Sequence, residues 1–78
     1  MDEALIETLA ASITRYLAQW PDAADTAEGI CHWWIDLPGP PVPVACVQAA
    51  LERLAERGRV VCVSSGQRQI WRRPRSGG

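Results

Sequence analysis

The sequence of 78 residues contains no lysine and no phenylalanine, and it has only one tyrosine and one histidine. It also has no apolar run long enough to cross a bilayer, and its acidic beginning is the opposite of a basic signal-peptide region. No Ser/His/Asp arrangement, phosphate-binding loop or paired-carboxylate motif is recognisable, so we predict that the protein is not an enzyme. From these features we expect a cytoplasmic protein.

Cysteine is also scarce. Cys31, Cys46 and Cys62 are an odd number at wide spacings, so we expect reduced, mostly buried thiols rather than a disulfide framework. Cys31 and His32 are adjacent and point to different sides of a helix, and the other spacings do not match the short pairs of structural zinc sites. We therefore predict no metal site and no cofactor.

Charge is present in similar amounts of both signs but is unevenly distributed. Residues 1–45 contain seven acids and one arginine, whereas residues 46–78 contain seven arginines and two acids. Such polarity predicts a cationic C-terminal third that can meet an anionic partner. With 47% hydrophobic residues, the chain is sufficient for the core of one small domain.

Two stretches of the N-terminal half have apolar residues at every third or fourth position, which predicts two helices. The first covers about 2–19, with Asp2 as a plausible N-cap. The second covers about 26–35, where Asp25 followed three residues later by Glu28 indicates a capping box. The expected buried stripes are Leu5, Ile6, Leu9, Ile13, Tyr16, Leu17 and Trp20 in the first helix, and Ala27, Ile30, Cys31 and Trp34 in the second.

Two residues of the second helix are unusual. Gly29 is unfavourable in a helix by roughly 1 kcal/mol relative to alanine, and the close approach of another helix would explain it. Trp33 lies about 100° from Trp34 around the helix axis, at the edge of the core or outside it. We interpret Trp33 as an aromatic that covers the proline-rich turn; the alternative is an anchor for another protein or a second copy.

The third helix follows a turn that contains four of the six prolines. We expect it to cover about 43–57, with Pro43 as its first residue and Gly58 as its stop signal. Its buried stripe is predicted to be Val44, Val47, Ala50, Leu51 and Leu54.

Beyond the third helix, residues 59–73 form two β-prone segments, which predict a two-stranded hairpin. If Ser65 and Gly66 form its loop, Val60 lies opposite Trp71 and Val61 opposite Ile70; a three-residue loop exchanges these pairings. The tail, residues 74–78, is expected to fray.

This order of elements is α+β and resembles the winged helix-turn-helix superfamily, in which a hairpin "wing" follows the third helix. The segment that carries the resemblance has the form A-L-x-x-L-x-x-x-G-x-V, as in its usual junction between recognition helix and wing, with Ala50, Leu51, Leu54, Gly58 and Val60. The resemblance covers residues 2–73. The strand that the family usually has between its first two helices is represented at best by Ala23-Ala24.

The resemblance implies a small bacterial DNA-binding protein, a transcriptional regulator or an accessory to one, that takes double-stranded DNA as its partner. In the family the third helix enters the major groove and the wing touches the backbone. The residues implied to contact DNA are Gln48, Ala49 and Arg53 in the third helix and Arg68, Gln69, Arg72, Arg73 and Arg75 in the wing.

Glu52 and Glu56 also face outward from the third helix, where they would approach a polyanion unfavourably. On that ground, an equally good interpretation is an ordinary solvated helix face on which these two acids offset Arg53 and Arg57. The competing function is a winged helix used for protein interaction, as a homodimer or an adaptor, through the first helix or Trp33. Because the third helix is nearly charge-balanced, any nucleic-acid binding is expected to depend first on the wing.

Overall fold

The computed structural model describes residues 2–75, and the first of them caps helix α1 (Glu3–Gln19). Asp2 Oδ1 accepts a hydrogen bond from the backbone N–H of Leu5 at 3.2 Å, which confirms the predicted helix and its cap. The buried face of α1 consists of Ile6, Leu9, Ala10, Ser12, Ile13 and Leu17. Trp20 was expected in this stripe, but it follows the helix, next to Pro21, and is 54% exposed.

The chain then forms a two-residue strand β1 (Ala24–Asp25) before helix α2, which is α-helical over Ala27–Gly29 and π-helical over Ile30–Trp34. The predicted cap was wrong by one residue: Thr26 Oγ1, not Asp25, accepts from the N–H of Gly29, at 3.1 Å. Asp25 Oδ1 instead accepts from the N–H of Thr26, at 2.7 Å. The carboxylate therefore fixes the passage from strand to helix.

The π-helical turn places its two tryptophans in opposite environments. Trp34 is buried and stacks on Tyr16 of α1, with ring centroids 4.5 Å apart and an interplanar angle of 12°. Trp33 is 78% exposed, so the interpretation that it covers the proline-rich turn is wrong. Two of the four tryptophans, Trp34 and Trp71, therefore serve the core.

Helix α3 (Val44–Glu56) confirms the third predicted helix and buries Cys46, Val47, Ala50, Leu51 and Leu54. Pro43 precedes the helix rather than opening it, because its ψ of 139° is extended. Gly58 follows with a φ of +72°, a left-handed conformation that a residue with a Cβ adopts only with strain.

The hairpin consists of β2 (Val61–Ser65) and β3 (Arg68–Arg72), and β3 also pairs with β1, so the antiparallel sheet has three strands in the order β1-β3-β2. Both expected registers are wrong: Val63 lies opposite Ile70, and Cys62 lies opposite Trp71. The loop is Gly66-Gln67. Gly66 has a φ of +62° and no other loop residue has a positive φ, which is typical of a type II′ turn with glycine first.

One hydrophobic cluster joins the three helices to strand β3 and to Val60, which precedes β2. Its members from the sheet side are Val60 and Trp71, which are 2% and 5% exposed and pack with the buried faces of the three helices. Of the tail that was expected to fray, Pro74 is half-buried and residues 76–78 lie outside the described residues.

Candidate nucleic-acid interface

A polar cleft of about 580 Å³ lies between the beginning of α3, the beginning of α2 and the hairpin. It brings together three of the predicted DNA-contacting residues, Gln48 from α3 and Arg68 and Gln69 from β3. The cleft is lined by Thr26, Ala27, Glu28, Val44, Gln48, Gln67, Arg68, Gln69 and Trp71.

The local structure explains this convergence. Trp71 is buried against the helices, and because side chains alternate along a strand, Gln69 lies on the same face of β3. The type II′ turn then brings Gln67 and Arg68 to the rim of the cleft. Gln48 lies one helical turn after Val44, which is itself half-buried and lines the cleft at the start of α3.

Carboxylates flank this cleft. Glu28 lines it, and Glu52 Oε2 accepts a hydrogen bond from Gln48 Nε2 at 3.3 Å. The amide that could donate to a base edge is thus already partnered by an acid one turn further along α3. Glu52 and Glu56 are both exposed, so the outward face of α3 repels phosphate.

Arg53, predicted to contact DNA, is bound to α1 instead. Its Nη1 lies 2.7 Å from Glu3 Oε2 and 2.8 Å from Glu7 Oε2. Hydrogen bonds to Glu3 and Glu7 raise the pKa of Arg53, and the same guanidinium lowers the pKa of Glu3. With 27% of its side chain exposed, Arg53 is a link between helices and not a free contact for DNA.

The neighbouring Arg57 joins the same network. Its Nη2 lies 3.0 Å from Glu7 Oε2, and hydrogen bonds from Arg57 and then Arg53 lower the pKa of Glu7. The acids that offset these two arginines are therefore Glu3 and Glu7 of α1, and not Glu52 and Glu56 of α3 as expected.

Ala49 was also placed on the outward face of α3, but it is half-buried and packs against the hydrophobic cluster. Its contribution to the exposed surface is small. Of the three residues of the third helix that were expected to contact DNA, Gln48 is the one that lines the cleft.

Arg72 does not line this cleft, nor do Arg73 and Arg75, which were expected in the wing but follow the end of β3. Arg72 is half-buried, lies opposite Ala24 of β1, and donates from Nη1 to the carbonyl of Arg73 at 3.4 Å. Arg73 and Arg75 line a second groove of about 380 Å³, together with Arg59 and the side of α1. The positive charge of the segment 59–75 is therefore divided between the cleft and this second groove.

The six arginines at positions 15, 59, 68, 72, 73 and 75 make no ion pair within residues 2–75. Five of them belong to the segment 59–75, which contains no acid. This segment is the most cationic surface of the described chain, and guanidinium groups suit phosphate through their planar donor fork.

The cysteines differ in environment. Cys46 is buried, Cys31 is half-buried with its Sγ 3.2 Å from the carbonyl oxygen of Val42, and Cys62 is exposed on β2, so the expectation of mostly buried thiols was wrong for Cys62. Within residues 2–75 no three histidine, cysteine or acidic side chains come together as a metal site.

Gln67 and Thr26 are among the cleft residues that sequence reasoning missed. Gln67 was assigned to a strand, although the glycine before it is a signal for the turn that projects it. Thr26 was missed because the preceding Asp25 is, by residue type alone, the better N-cap and was assigned that role. Their proximity to Gln48 results from packing between distant segments, for which the sequence holds no local signal.

None of the helices among residues 2–75 has both the length and the apolar character required to cross a membrane. Comparison of the chain with known protein families, curated proteins and solved structures finds no match.

Proposed function

We propose that this protein is a winged-helix domain that binds double-stranded DNA through its cationic hairpin, with helix α3 in a secondary role. The observation that carries the proposal is the concentration of arginines without ion-pair partners in residues 59–75, beside a polar cleft formed with α3. Phosphate neutralisation by such side chains supplies most of the affinity in non-specific DNA binding.

The sheet topology supports the winged-helix part of the proposal. The winged-helix family usually has a strand between its first two helices, for which the sequence offered only Ala23-Ala24. The two-residue β1 lies between these helices and pairs with β3 at the base of the hairpin. The hairpin is held at its base by this third strand and by the buried Trp71, while its turn is exposed.

The division of charge supports a hairpin-led mode of binding. Glu3 and Glu7 neutralise Arg53 and Arg57, which leaves the exposed acids Glu52 and Glu56 on the outward side of α3. On this basis Arg68 contacts phosphate, and Gln48 and Gln69 are the candidates for contact with base edges. Binding by such a surface should be weak, salt-sensitive and nearly indifferent to sequence.

The test is a titration of binding to random duplex DNA over a series of salt concentrations, with Arg68→Ala and Arg53→Ala as a matched pair. Loss of one phosphate contact in Arg68→Ala should weaken binding and reduce the slope of log K against log salt by about one unit. Arg53→Ala should leave both quantities close to those of the native protein.

Both variants remove one arginine, so equal effects would indicate a response to net charge alone and would contradict the hairpin-led mode. The absence of any binding by the native protein at low salt would overturn DNA binding itself. Circular dichroism of each variant would verify that the fold is retained.

A second candidate, a protein-interaction module, is favoured by one observation. Trp33 is 78% exposed on the π-helical turn, and large aromatic side chains are enriched at the centres of protein interfaces. If this candidate is right, the native protein does not bind random duplex DNA even at low salt, and Trp33→Ala abolishes the capture of its protein partner.

A further inference from the structure

Strand β2 forms a long open edge of the sheet. The opposite edge is β1, which has only two residues, whereas β2 has five and lies outermost in the order β1-β3-β2. Proteins usually protect such an edge with lysine, proline, a bulge or a very short strand. Strand β2 reads Val-Cys-Val-Ser-Ser, with no charged residue and no proline.

The turn determines which backbone groups face this edge. Residues that flank a two-residue hairpin loop exchange both of their hydrogen bonds, and the pattern then alternates along the ladder. Ser65, Val63 and Val61 therefore bond to β3, while Cys62 and Ser64 direct their N–H and C=O groups outward. No strand within residues 2–75 pairs with those groups.

The outer face of the hairpin is apolar near the same edge. Val61 and Val63 lie on the same face of β2. Val63 is opposite Ile70 of β3 and is 40% exposed. Arg68 and Arg72 lie on this face too, but they belong to β3, which is one strand further from the edge. The edge itself thus offers backbone donors and acceptors beside an exposed valine, without charge.

We propose that β2 pairs antiparallel with β2 of a second copy of this chain, about a two-fold axis at Val63. In that register Val63 faces the partner's Val63, and Cys62 faces the partner's Ser64. All five residues of each β2 strand take part in this pairing. Two three-stranded sheets thereby become one sheet of six strands, with the outward groups of Cys62 and Ser64 satisfied.

A second copy fits this edge for two reasons. The register about Val63 is self-complementary, as a two-fold interface requires, because each residue finds the same partner in both directions. It also places Val63 beside the partner's Val63, which removes the exposed apolar group from water, while Arg68 and Arg72 stay one strand away from the interface, on β3. This inference is independent of DNA binding.

Disulfide cross-linking tests the register directly. In a Cys62→Ser background, Val63→Cys places two thiols in a non-hydrogen-bonded antiparallel pair, where Cα atoms are about 4.5 Å apart and within disulfide range. Oxidation should give a covalent dimer. Ser64→Cys in the same background is the matched control, since it faces position 62 of the partner and should not cross-link.

Sedimentation equilibrium tests the association without a covalent bond. The native protein should dimerise reversibly with concentration, and Val63→Lys should shift it to the monomer by adding two like charges at the axis. Ala55→Lys, which adds the same charge at another exposed position, should leave the dimer unchanged. Both variants should retain the native circular dichroism because both sites are exposed.

Three results would each overturn the proposal. They are a native protein that stays monomeric at all concentrations, a dimer that tolerates Val63→Lys, and cross-linking of Ser64→Cys in preference to Val63→Cys. A dimer that is lost in Trp33→Ala but not in Val63→Lys would assign the interface to the π-helical turn.

Discussion

At the scale of single residues, the ion-pair network between α1 and α3 determines which arginines are available. Arg53 and Arg57 are held by Glu3 and Glu7, with the closest contact at 2.7 Å. Exposed ion pairs usually contribute little to stability, but this network joins two helices that are distant in sequence and shares Glu7 between two guanidinium groups. Its main consequence is that α3 presents acid, and not arginine, to the outside.

The network predicts acid sensitivity of the fold. Arg57 and Arg53 lower the pKa of Glu7 in the folded state, so the stabilisation is present above the ordinary glutamate pKa of about 4.3 and is lost as the pH falls through the lower, folded-state pKa. Glu7→Gln should therefore reduce the loss of thermal stability in this acidic range, measured as Tm against pH.

The control is Glu56→Gln, which removes an exposed acid with no ion pair within residues 2–75. Glu56→Gln should leave the slope of Tm against pH in the acidic range unchanged. Equal flattening in the two variants would show that general charge, and not the α1–α3 network, determines the response to acid.

At the scale of elements, the junction of β1 with α2 depends on a glycine for a reason that the sequence alone did not indicate. A Cβ at Gly29 would collide with the carboxylate of Asp25, so the close neighbour is a side chain from β1 and not another helix as expected. That carboxylate accepts from the N–H of Thr26, while the Thr26 hydroxyl caps Gly29. The end of β1, the N-cap of α2 and the first turn of α2 are therefore held together by these two hydrogen bonds.

Gly29→Ala should consequently destabilise the protein, although alanine is the better helix former by about 1 kcal/mol. Displacing Asp25 loses a charge-assisted hydrogen bond to the backbone, worth about 1.5–3 kcal/mol, so after the gain from alanine we expect a net loss of about 0.5–2 kcal/mol in the free energy of unfolding by urea. In an Asp25→Ala background the same substitution should be neutral or stabilising. A stabilising effect of Gly29→Ala alone would contradict the steric argument.

At the scale of the whole molecule, Trp71 connects the sheet to the helices. It lies on the only strand of residues 2–75 that pairs on both sides, opposite Asp25 and Cys62, and it is 5% exposed within the hydrophobic cluster. Its indole Nε1 is buried without a hydrogen-bond partner within residues 2–75, so its contribution is packing. The orientation of the hairpin relative to α3, and with it the polar cleft, depends on this side chain.

Trp71→Ala should cost about 3–5 kcal/mol, which is a large part of the stability of a small domain, and should abolish cooperative unfolding or lower its midpoint strongly. Trp33→Ala provides the matched control. Since Trp33 is 78% exposed, its removal should change the free energy of unfolding by no more than about 0.5 kcal/mol. Similar losses in the two variants, measured by urea denaturation, would contradict the assigned roles.

The helices, the hairpin and most of the core could be predicted from the sequence, because these depend on local signals. Asp2 as a cap, the apolar periodicity of α1 and α3, and Gly58 as a stop act over a few residues, and all are found in the structure. The sequence was less informative about α2 and the register of the hairpin. In those segments neighbouring residues suit the same position about equally well, as Asp25 and Thr26 suit the N-cap of α2. Tertiary contacts then select between them.

Which charges remain exposed depends on contacts between distant segments and could not be predicted from the sequence. The sequence showed an acidic N-terminal part and a basic C-terminal part, but not that Glu3 and Glu7 would lie within 2.7–3.0 Å of Arg53 and Arg57. Nor did it show that Gln48, Arg68 and Gln69 would share a cleft while Arg73 and Arg75 line another groove. These pairings join residues that are 20 to 50 positions apart, and their proximity results from the packing of α1 on α3 and of the hairpin on β1.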